Sequence, residues 1–135
     1  MANTKLSQSP FLSIIATAFG TISLGFGINS ILNPMSELSF FELQGLAATA
    51  DPILIECLMI AFGAKLIGAA LAVFATAFFG SRKALGCVLI AGGGVAGVDG
   101  WICKSYMGTG EWNHWGYGSM MVILGTVLMG ILDGK

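Results

Sequence analysis

Four long apolar stretches, separated by short polar segments, dominate the chain. Each stretch is about as long as the 20 or so residues that a helix needs to cross the hydrocarbon core of a bilayer. Strands of a membrane barrel would instead be short and would alternate apolar with polar positions. The pattern predicts an all-α, integral membrane four-helix bundle, with spans at about residues 11–32, 53–79, 84–103 and 114–132.

The segments between these stretches carry signals for helix ends. Asn33 and Pro34 end the first stretch, and Asp51 with Pro52 forms a favourable start for the second, because Asp is a good N-cap and Pro suits the first helical position. The intervening residues 35–50 are less apolar and are typical of an amphipathic segment at the membrane surface. We expect a polar tail over residues 1–10 and a single membrane domain over 11–135.

Lys and Arg in the short connections predict the orientation, because they are enriched on the cytoplasmic side. Arg82 and Lys83 lie between the second and third spans, and Lys5 and Lys135 lie near the two chain ends. Lys104 lies on the opposite side and weakens this bias. Both termini are therefore predicted to be cytoplasmic, in a multi-pass protein of the plasma membrane or of an endomembrane.

Composition supports the membrane assignment and excludes several functions. Hydrophobic residues make up 56% of the 135 positions and charged residues only 10%, with a mean hydropathy of +0.86. The net charge of -1, without a run of basic residues, argues against binding of nucleic acid. Three cysteines without a CxxC pair or a Cys/His cluster predict no metal site, and no nucleotide fingerprint is present, so we expect no cofactor.

Small residues predict where the helices pack. Gly93 and Gly97 form a GxxxG pair in the third span, a pattern that allows close helix contact in membranes. In the second span a stripe of small residues around one lysine is expected to be a packing face; it consists of Ala61, Lys65, Gly68 and Ala72.

Two charged residues fall inside the predicted spans. Asp99 lies near the end of the third span and Lys65 within the second, about 4–12 Å apart along the membrane normal at 1.5 Å per residue. A charge at the bilayer centre costs about 2.5–3.5 kcal/mol, and such residues are usually functional. Asp99 and Lys65 are therefore expected either to form a buried ion pair that fixes helix register or to act in proton transfer and ligand binding.

His114, the only histidine, begins the fourth span on the same side of the membrane as Asp99. It belongs either to an aromatic belt at the interface or to a polar pocket, in which it could exchange protons near neutral pH. In the second interpretation Lys65, Asp99 and His114 are the candidate catalytic residues. Residues at the same end of the bundle are predicted to contact a ligand: Asn29, Trp101, Cys103, Trp115 and Tyr117.

Several short motifs resemble a family of small four-span membrane proteins of unknown function that is frequent in filamentous fungi. They are LGFGINSILNP at the end of span one, GAKLIG in span two, RKALG through GVDGW in span three, and NHWGYG at the start of span four. The acid that often follows the basic residue of span two is missing, because Leu66 stands there. The architecture is also similar to DoxX-like four-helix proteins. The resemblance implies that Lys65, Asp99 and His114 are shared features, but it implies no reaction.

Three functions remain open at this point. The first is a cofactor-independent enzyme, such as an isomerase, cyclase or oxygenase, that acts on a lipophilic polyketide or terpenoid-like substrate. The second is a proton-coupled transporter or binding protein for a small solute. The third is a structural or assembly protein in which Lys65 and Asp99 only fix the register. Expected partners are membrane lipid, a lipophilic small molecule and, where the protein forms homo-oligomers, a second copy.

Overall fold

A computed structural model describes residues 5–133, which are helical apart from short connections and contain no strand. The four long helices are α1 (Pro10–Leu32), α4 (Pro52–Phe78), α5 (Arg82–Ile102) and α6 (Trp112–Leu128). Two short helices, α2 (Glu37–Phe40) and α3 (Gln44–Ala47), lie between α1 and α4. The predicted placement of residues 1–4 and of Lys135 falls outside the described residues.

Local sequence explains where these helices begin and end. The Asp51 carboxylate accepts a hydrogen bond from the Ile53 amide at 2.8 Å, and Pro52 occupies the first position of α4. The Ser81 hydroxyl accepts from the Ala84 amide and so begins α5. After α5 the chain continues as a π-helical turn, Cys103–Met107, which ends at Gly108 in the left-handed conformation.

Three helices are long and apolar enough to cross a membrane: Pro10–Leu32, Pro52–Phe78 and Arg82–Met107. They indicate a multi-pass membrane protein and confirm the first three predicted spans to within a few residues. Helix α6 has only 17 residues and ends at Leu128, four residues before the predicted end of the fourth span. It ends there because the chain turns at Gly130, where φ is +81°.

The long helices form two pairs, α1 with α4 and α5 with α6. In the first pair, a Cβ added to Gly63 would lie 2.7 Å from the Gly27 carbonyl oxygen, so the two backbones almost touch. In the second pair, a Cβ on Gly125 would lie 2.6 Å from the Gly86 carbonyl oxygen. Glycine permits this approach because it has no side chain, and dispersion between backbones then holds the helices together.

One of the predicted packing faces is wrong. The side of α4 that carries Ala61, Lys65, Gly68 and Ala72 is exposed, and a Cβ on Gly68 would meet no atom within 4 Å. The packing face of α4 uses Gly63 instead, and Ser30 on α1 donates a hydrogen bond to the Met59 carbonyl oxygen at 3.0 Å. Of the predicted Gly93–Gly97 pair, Gly93 is confirmed, since it lies against Gly118 and Val122 of α6. A Cβ on Gly97 would meet no atom within 4 Å, so that half of the pair is wrong.

The interior differs between the two ends of the bundle. The terminal end is the end of the bundle that holds residues 5–9 and the α4–α5 connection. The loop end is the opposite end, which holds residues 33–51 and 103–111. Toward the terminal end the two helix pairs meet through an aliphatic core of Ala16, Val73, Leu85, Leu89, Leu124 and Leu128. At the loop end the contacts between elements are largely aromatic.

Gly63→Ala should destabilise the protein by about 1–3 kcal/mol, because the new methyl group would overlap the backbone of α1. Thermal unfolding in detergent measures the loss. Gly25→Ala is the matched control, since a Cβ there meets nothing within 4 Å and should stabilise by up to about 1 kcal/mol through helix propensity. Equal melting temperatures for the two variants would contradict close packing at Gly63.

Candidate functional site

His114 lies in the first turn of α6 and is almost completely enclosed, with 1% of its surface exposed. The imidazole contacts two adjacent phenylalanines of the segment that covers the loop end. Its centroid is 4.8 Å from that of Phe40, in an edge-on arrangement, and 4.6 Å from that of Phe41, with the rings tilted by 38°. The sequence placed His114 at this end of the bundle, but the structure puts it inside rather than in an interfacial belt.

Neither ring nitrogen of His114 has a hydrogen-bond partner among residues 5–133. Buried polar groups are nearly always hydrogen-bonded, and an unpaired one costs about 1–3 kcal/mol of stability. An imidazole always carries at least one N–H donor, and in its neutral form it also carries one acceptor. The fold therefore positions a donor and an acceptor inside an apolar enclosure without using either.

The cover over His114 is the segment around α2, and few polar contacts hold it. The Cys103 thiol donates to the Phe41 carbonyl oxygen at 3.5 Å, and the Asn113 amide donates to that of Phe40 at 3.3 Å. Apolar contact adds to these bonds, because the Phe41 ring packs edge-on against Phe62 of α4 with centroids 5.2 Å apart. The two covering rings thus attach to α1, α4 and α6 mainly through aromatic contact, with Phe26, Phe62 and His114.

Glu42 follows these phenylalanines in a conformation that L-residues rarely adopt, with φ of +57°. Such a residue costs on the order of 1–3 kcal/mol unless its surroundings hold it in place. Its side chain lies against Gly110, where an added Cβ would be 2.8 Å from the Glu42 Cγ atom. The strain is localised at the point where the cover meets the α5–α6 connection.

Asp99 is half-buried in the last turn of α5, on the same helix face as the fully buried Ala96 and Cys103. Its carboxylate lies close enough to Cys103 and Tyr117 to interact with both electrostatically. Within the described chain it belongs to no salt bridge. We call Asp99, Cys103 and Tyr117, together with His114 at the same end of α6, the polar group. The His114 ring has no hydrogen bond to the other three among the described residues.

Lys65 does not join this group. It is exposed on α4, and the ion pair with Asp99 that the sequence raised is not formed in the part of the chain that the structure describes. Asn29, predicted to contact a ligand, does not join this group either. Its amide donates to the Ser36 hydroxyl at 2.6 Å and to a Glu37 carboxylate oxygen at 3.0 Å.

The two predicted tryptophans lie away from the enclosure around His114. Trp101 is 58% exposed, whereas Trp115 is half-buried and its indole N–H donates to the Gly97 carbonyl oxygen at 3.1 Å. Trp115 lines a shallow groove of about 370 Å³ between α5 and α6, with Gly93, Gly97 and Gly118 also at its surface. This groove runs along the line where α5 and α6 meet, and it is separate from the polar group.

An ion pair joins the two ends of the connection between α5 and α6. The Lys104 ammonium lies 2.8 Å from a Glu111 carboxylate oxygen and also donates to the Gly108 carbonyl oxygen at 3.3 Å. It is the only salt bridge among residues 5–133. The hydrogen bond from Lys104 is the main reason why the pKa of the Glu111 carboxyl lies below its ordinary value.

Metal binding has no support from these side chains. Across residues 5–133, no group of three or more His, Cys, Asp or Glu residues could hold a metal ion. The chemistry available at the loop end is hydrogen bonding and proton exchange by imidazole, carboxyl, thiol and phenol groups.

Comparison with known proteins places the chain in a family. Residues 20–128 match the family described as Domain of unknown function (DUF4267). The chain belongs to the DUF4267 family. No curated protein and no solved structure matches it. The matched range contains the whole polar group and its cover, so these features lie in the part of the chain that represents DUF4267.

Three residues of the site were missed by sequence reasoning. Phe40 and Phe41 stand next to each other in a segment interpreted as lying on the membrane surface, and this unusually apolar pair was the available signal. Glu37, in the same segment, is only 3% exposed and is bonded by Asn29. No local pattern marks it, because the amide that binds it comes from α1.

Acid should weaken the Lys104–Glu111 ion pair in the α5–α6 connection. Because the pKa of Glu111 is lowered in the folded protein, its contribution is complete above the ordinary carboxyl pKa of about 4.3 and is lost as pH falls through the folded value. We expect the melting temperature to fall below about pH 4.5 by more in the unmodified protein than in Glu111→Gln. Lys104→Met should reduce the acid dependence in the same way, and unchanged acid profiles in both variants would contradict a role for this pair.

Proposed function

We propose that this DUF4267 protein binds a lipophilic small molecule at the loop end and acts on it as a cofactor-independent enzyme of the isomerase, cyclase or oxygenase type. A polyketide or terpenoid-like substrate suits an apolar, aromatic enclosure with a few polar groups. The observation that carries the proposal is His114, an enclosed imidazole whose two nitrogens have no partner among the described residues. A ligand hydroxyl or carbonyl group could bond these nitrogens.

In this proposal the four polar side chains have different roles. His114 acts as general acid or base, since an imidazole exchanges protons near neutral pH. Asp99, which has no cationic partner in the described chain, is the second proton-exchanging group. Tyr117 and Cys103 contact the ligand. Phe40 and Phe41 cover His114 in the structure, so binding requires that at least one of these rings moves aside and packs on the ligand instead.

We infer that α6 is a fourth membrane span. Helix α5 crosses the membrane, and α6 runs antiparallel to it from Gly100, beside Trp115, to Gly86, beside Gly125. A helix in backbone contact with a spanning helix over this length occupies the same depth. The 17 residues of α6 correspond to about 25 Å at 1.5 Å per residue, close to the thickness of the hydrocarbon core. Four spans in two antiparallel pairs are compatible with a DoxX-like architecture and with the fungal family that the sequence resembles.

We also propose that the terminal end is cytoplasmic. Lys5, Arg82 and Lys83 lie at that end, and positive charge favours the cytoplasmic side. Lys104, the basic residue at the opposite end, is neutralised by Glu111 at 2.8 Å. The ion pair thus reduces the one charge that opposed the predicted orientation.

His114→Phe separates the proposed role from a structural one. A phenylalanine can keep the ring contacts with Phe40 and Phe41 and removes two unpaired nitrogens. The variant should therefore be as stable as the original or more stable, by up to about 1–3 kcal/mol. Function should nevertheless be lost. Comparison of metabolites between a strain that carries His114→Phe and its parent should show loss of a product or accumulation of a lipophilic precursor.

The control for this experiment is Trp101→Phe, which changes an exposed aromatic residue at the same end. It should leave the metabolite profile unchanged. Asp99→Asn should reproduce the loss seen with His114→Phe. A profile that is unaltered in both site variants, while both proteins fold, would contradict the enzyme proposal; uptake of a labelled solute that a protonophore abolishes would favour transport.

A second candidate function, assembly with another membrane protein or a second copy, rests on Lys65. It is the central residue of α4, about 20 Å from either end of the helix, and its side chain is exposed. A charge at this depth costs about 2.5–3.5 kcal/mol in contact with lipid, so a carboxylate from outside the chain would stabilise it. The small residues beside it, Ala61, Gly68 and Ala72, are exposed and would admit a further helix.

Gly68→Leu tests this second candidate. The substitution adds bulk where the chain itself has no atom within 4 Å, so folding should persist while docking of a further helix is blocked. Mass measurement in detergent should then show loss of an oligomer that the unmodified protein forms, and Lys65→Met should weaken the same oligomer. A protein that is monomeric at every concentration, with no other subunit co-purifying, would rule out assembly through this face.

A further inference from the structure

A second polar depression lies at the terminal end, far from the polar group around His114. It has a volume of about 370 Å³, and three basic side chains line it: Lys5 before α1, and Arg82 and Lys83 in the first turn of α5. Lys5 precedes Arg82 by 77 positions, and Arg82 and Lys83 are adjacent, so no longer run of basic residues marks the cluster in the sequence. Folding alone brings the three charges together.

Hydrogen bonds fix the walls of this depression. One guanidinium nitrogen of Arg82, Nη1, donates to the Ser9 carbonyl oxygen at 3.0 Å and to the Ser13 hydroxyl at 2.6 Å, which ties α5 to the start of α1. The Ser7 amide and hydroxyl both donate to the Asp133 carboxylate, at 2.9 and 2.5 Å, and so tie residues 6–8 to the end of the chain that follows α6. The segment that carries Lys5 is thereby held beside α5.

The charge of the depression is positive. Three basic side chains outnumber its one acidic residue, Asp133, which also interacts electrostatically with Lys5. Hydrogen bonds from Ser7 to both carboxylate oxygens are the main reason why the pKa of Asp133 lies below its ordinary value, so this residue keeps its negative charge. Lys5 and Lys83 are exposed and belong to no salt bridge in the described chain. Arg82 uses Nη1 for Ser9 and Ser13, which leaves the N–H groups of Nη2 and Nε for another acceptor.

The position of the depression indicates which part of the membrane it would contact. It lies where α1 and α5, two of the membrane-crossing helices, begin, and beside the end of α6. The ends of spanning helices lie at the level of the lipid headgroups. The chemical group at this level that matches a guanidinium and two ammonium groups is a phosphate with an uncompensated negative charge.

We propose that Lys5, Arg82 and Lys83 bind the headgroup phosphate of an anionic phospholipid. Arg82 is fixed by α1 and offers a planar set of N–H donors to two phosphate oxygens, and the lysines add charge from either side. Zwitterionic lipids are disfavoured because their own cation competes with the lysines. The site is independent of the chemistry at the loop end, and it holds the start of α1 against α5 more firmly when occupied.

The experiment uses the full chain, purified in detergent, and titrates it with phosphatidylglycerol or phosphatidylcholine in mixed micelles while bound lipid and melting temperature are measured. Phosphatidylglycerol should remain bound and raise the melting temperature, whereas phosphatidylcholine should do neither. Affinity should fall about fivefold in Lys83→Gln and about 25-fold in the Lys5→Gln, Lys83→Gln double variant, since each basic residue near a lipid surface contributes a similar amount. High salt should reduce the difference between the lipids.

Matched controls separate binding at this depression from a general effect of positive charge and from binding of free phosphate. Lys104→Gln removes the same charge at the loop end and should leave phosphatidylglycerol affinity unchanged. The lysine variants should melt normally in phosphatidylcholine, because neither lysine takes part in the hydrogen bonds from Arg82 or Ser7 that fix the walls. Equal affinity for both lipids, or unchanged affinity in the double variant, would overturn the proposal. If inorganic phosphate alone raised the melting temperature as much as phosphatidylglycerol, the ligand would be a soluble phosphate and the lipid assignment would be wrong.

Discussion

At Gly27 and Gly63, and again at Gly86 and Gly125, two helix backbones approach so closely that a methyl group on either residue would meet a carbonyl oxygen. In a membrane the hydrophobic effect does not drive helices together, because lipid tails are as apolar as the side chains, so this close packing supplies much of the attraction. It also decides the arrangement of everything else. Two tightly joined pairs leave a looser boundary between them, and that boundary is where the structure places aliphatic side chains at one end and polar and aromatic ones at the other.

The two ends of the interior differ in how much they contribute to stability. The aliphatic core at the terminal end uses only apolar side chains, which pack without hydrogen-bond requirements. At the loop end lie an imidazole that has no hydrogen-bond partner among residues 5–133 and a glutamate at positive φ, both of which reduce stability. Features of this kind persist where binding or catalysis depends on them, and here they lie close to one another and to the α2 cover. Their position at the loop end supports the proposal that this end of the DUF4267 protein binds a ligand.

The sequence predicted the first three spans closely, because hydrophobic length and capping residues such as Asp51 and Ser81 act locally. It also placed Asp99 and His114 at the same end of the bundle, which follows from the order of the spans. The surroundings of His114 could not be predicted, since Phe40 and Phe41 lie more than 70 positions away and no periodic pattern connects them. The packing face of α4 was assigned wrongly for a related reason: both faces carry small residues, and only the partner helix, which brings Gly27 to Gly63, decides between them.

The two helix pairs are formed by successive segments of the chain, α1 with α4 and α5 with α6. During synthesis the first pair can therefore assemble in the bilayer before the residues of α5 have been translated, and the second pair can form as an independent hairpin. The short connection from Phe79 to Ser81 then holds the two hairpins side by side, so that docking is a local search in the plane of the membrane. The α2 cover can close only after this docking, because His114 and Cys103 arrive with the second hairpin. The order of translation thus makes the enclosure of His114 a late step, which follows the assembly of both hairpins.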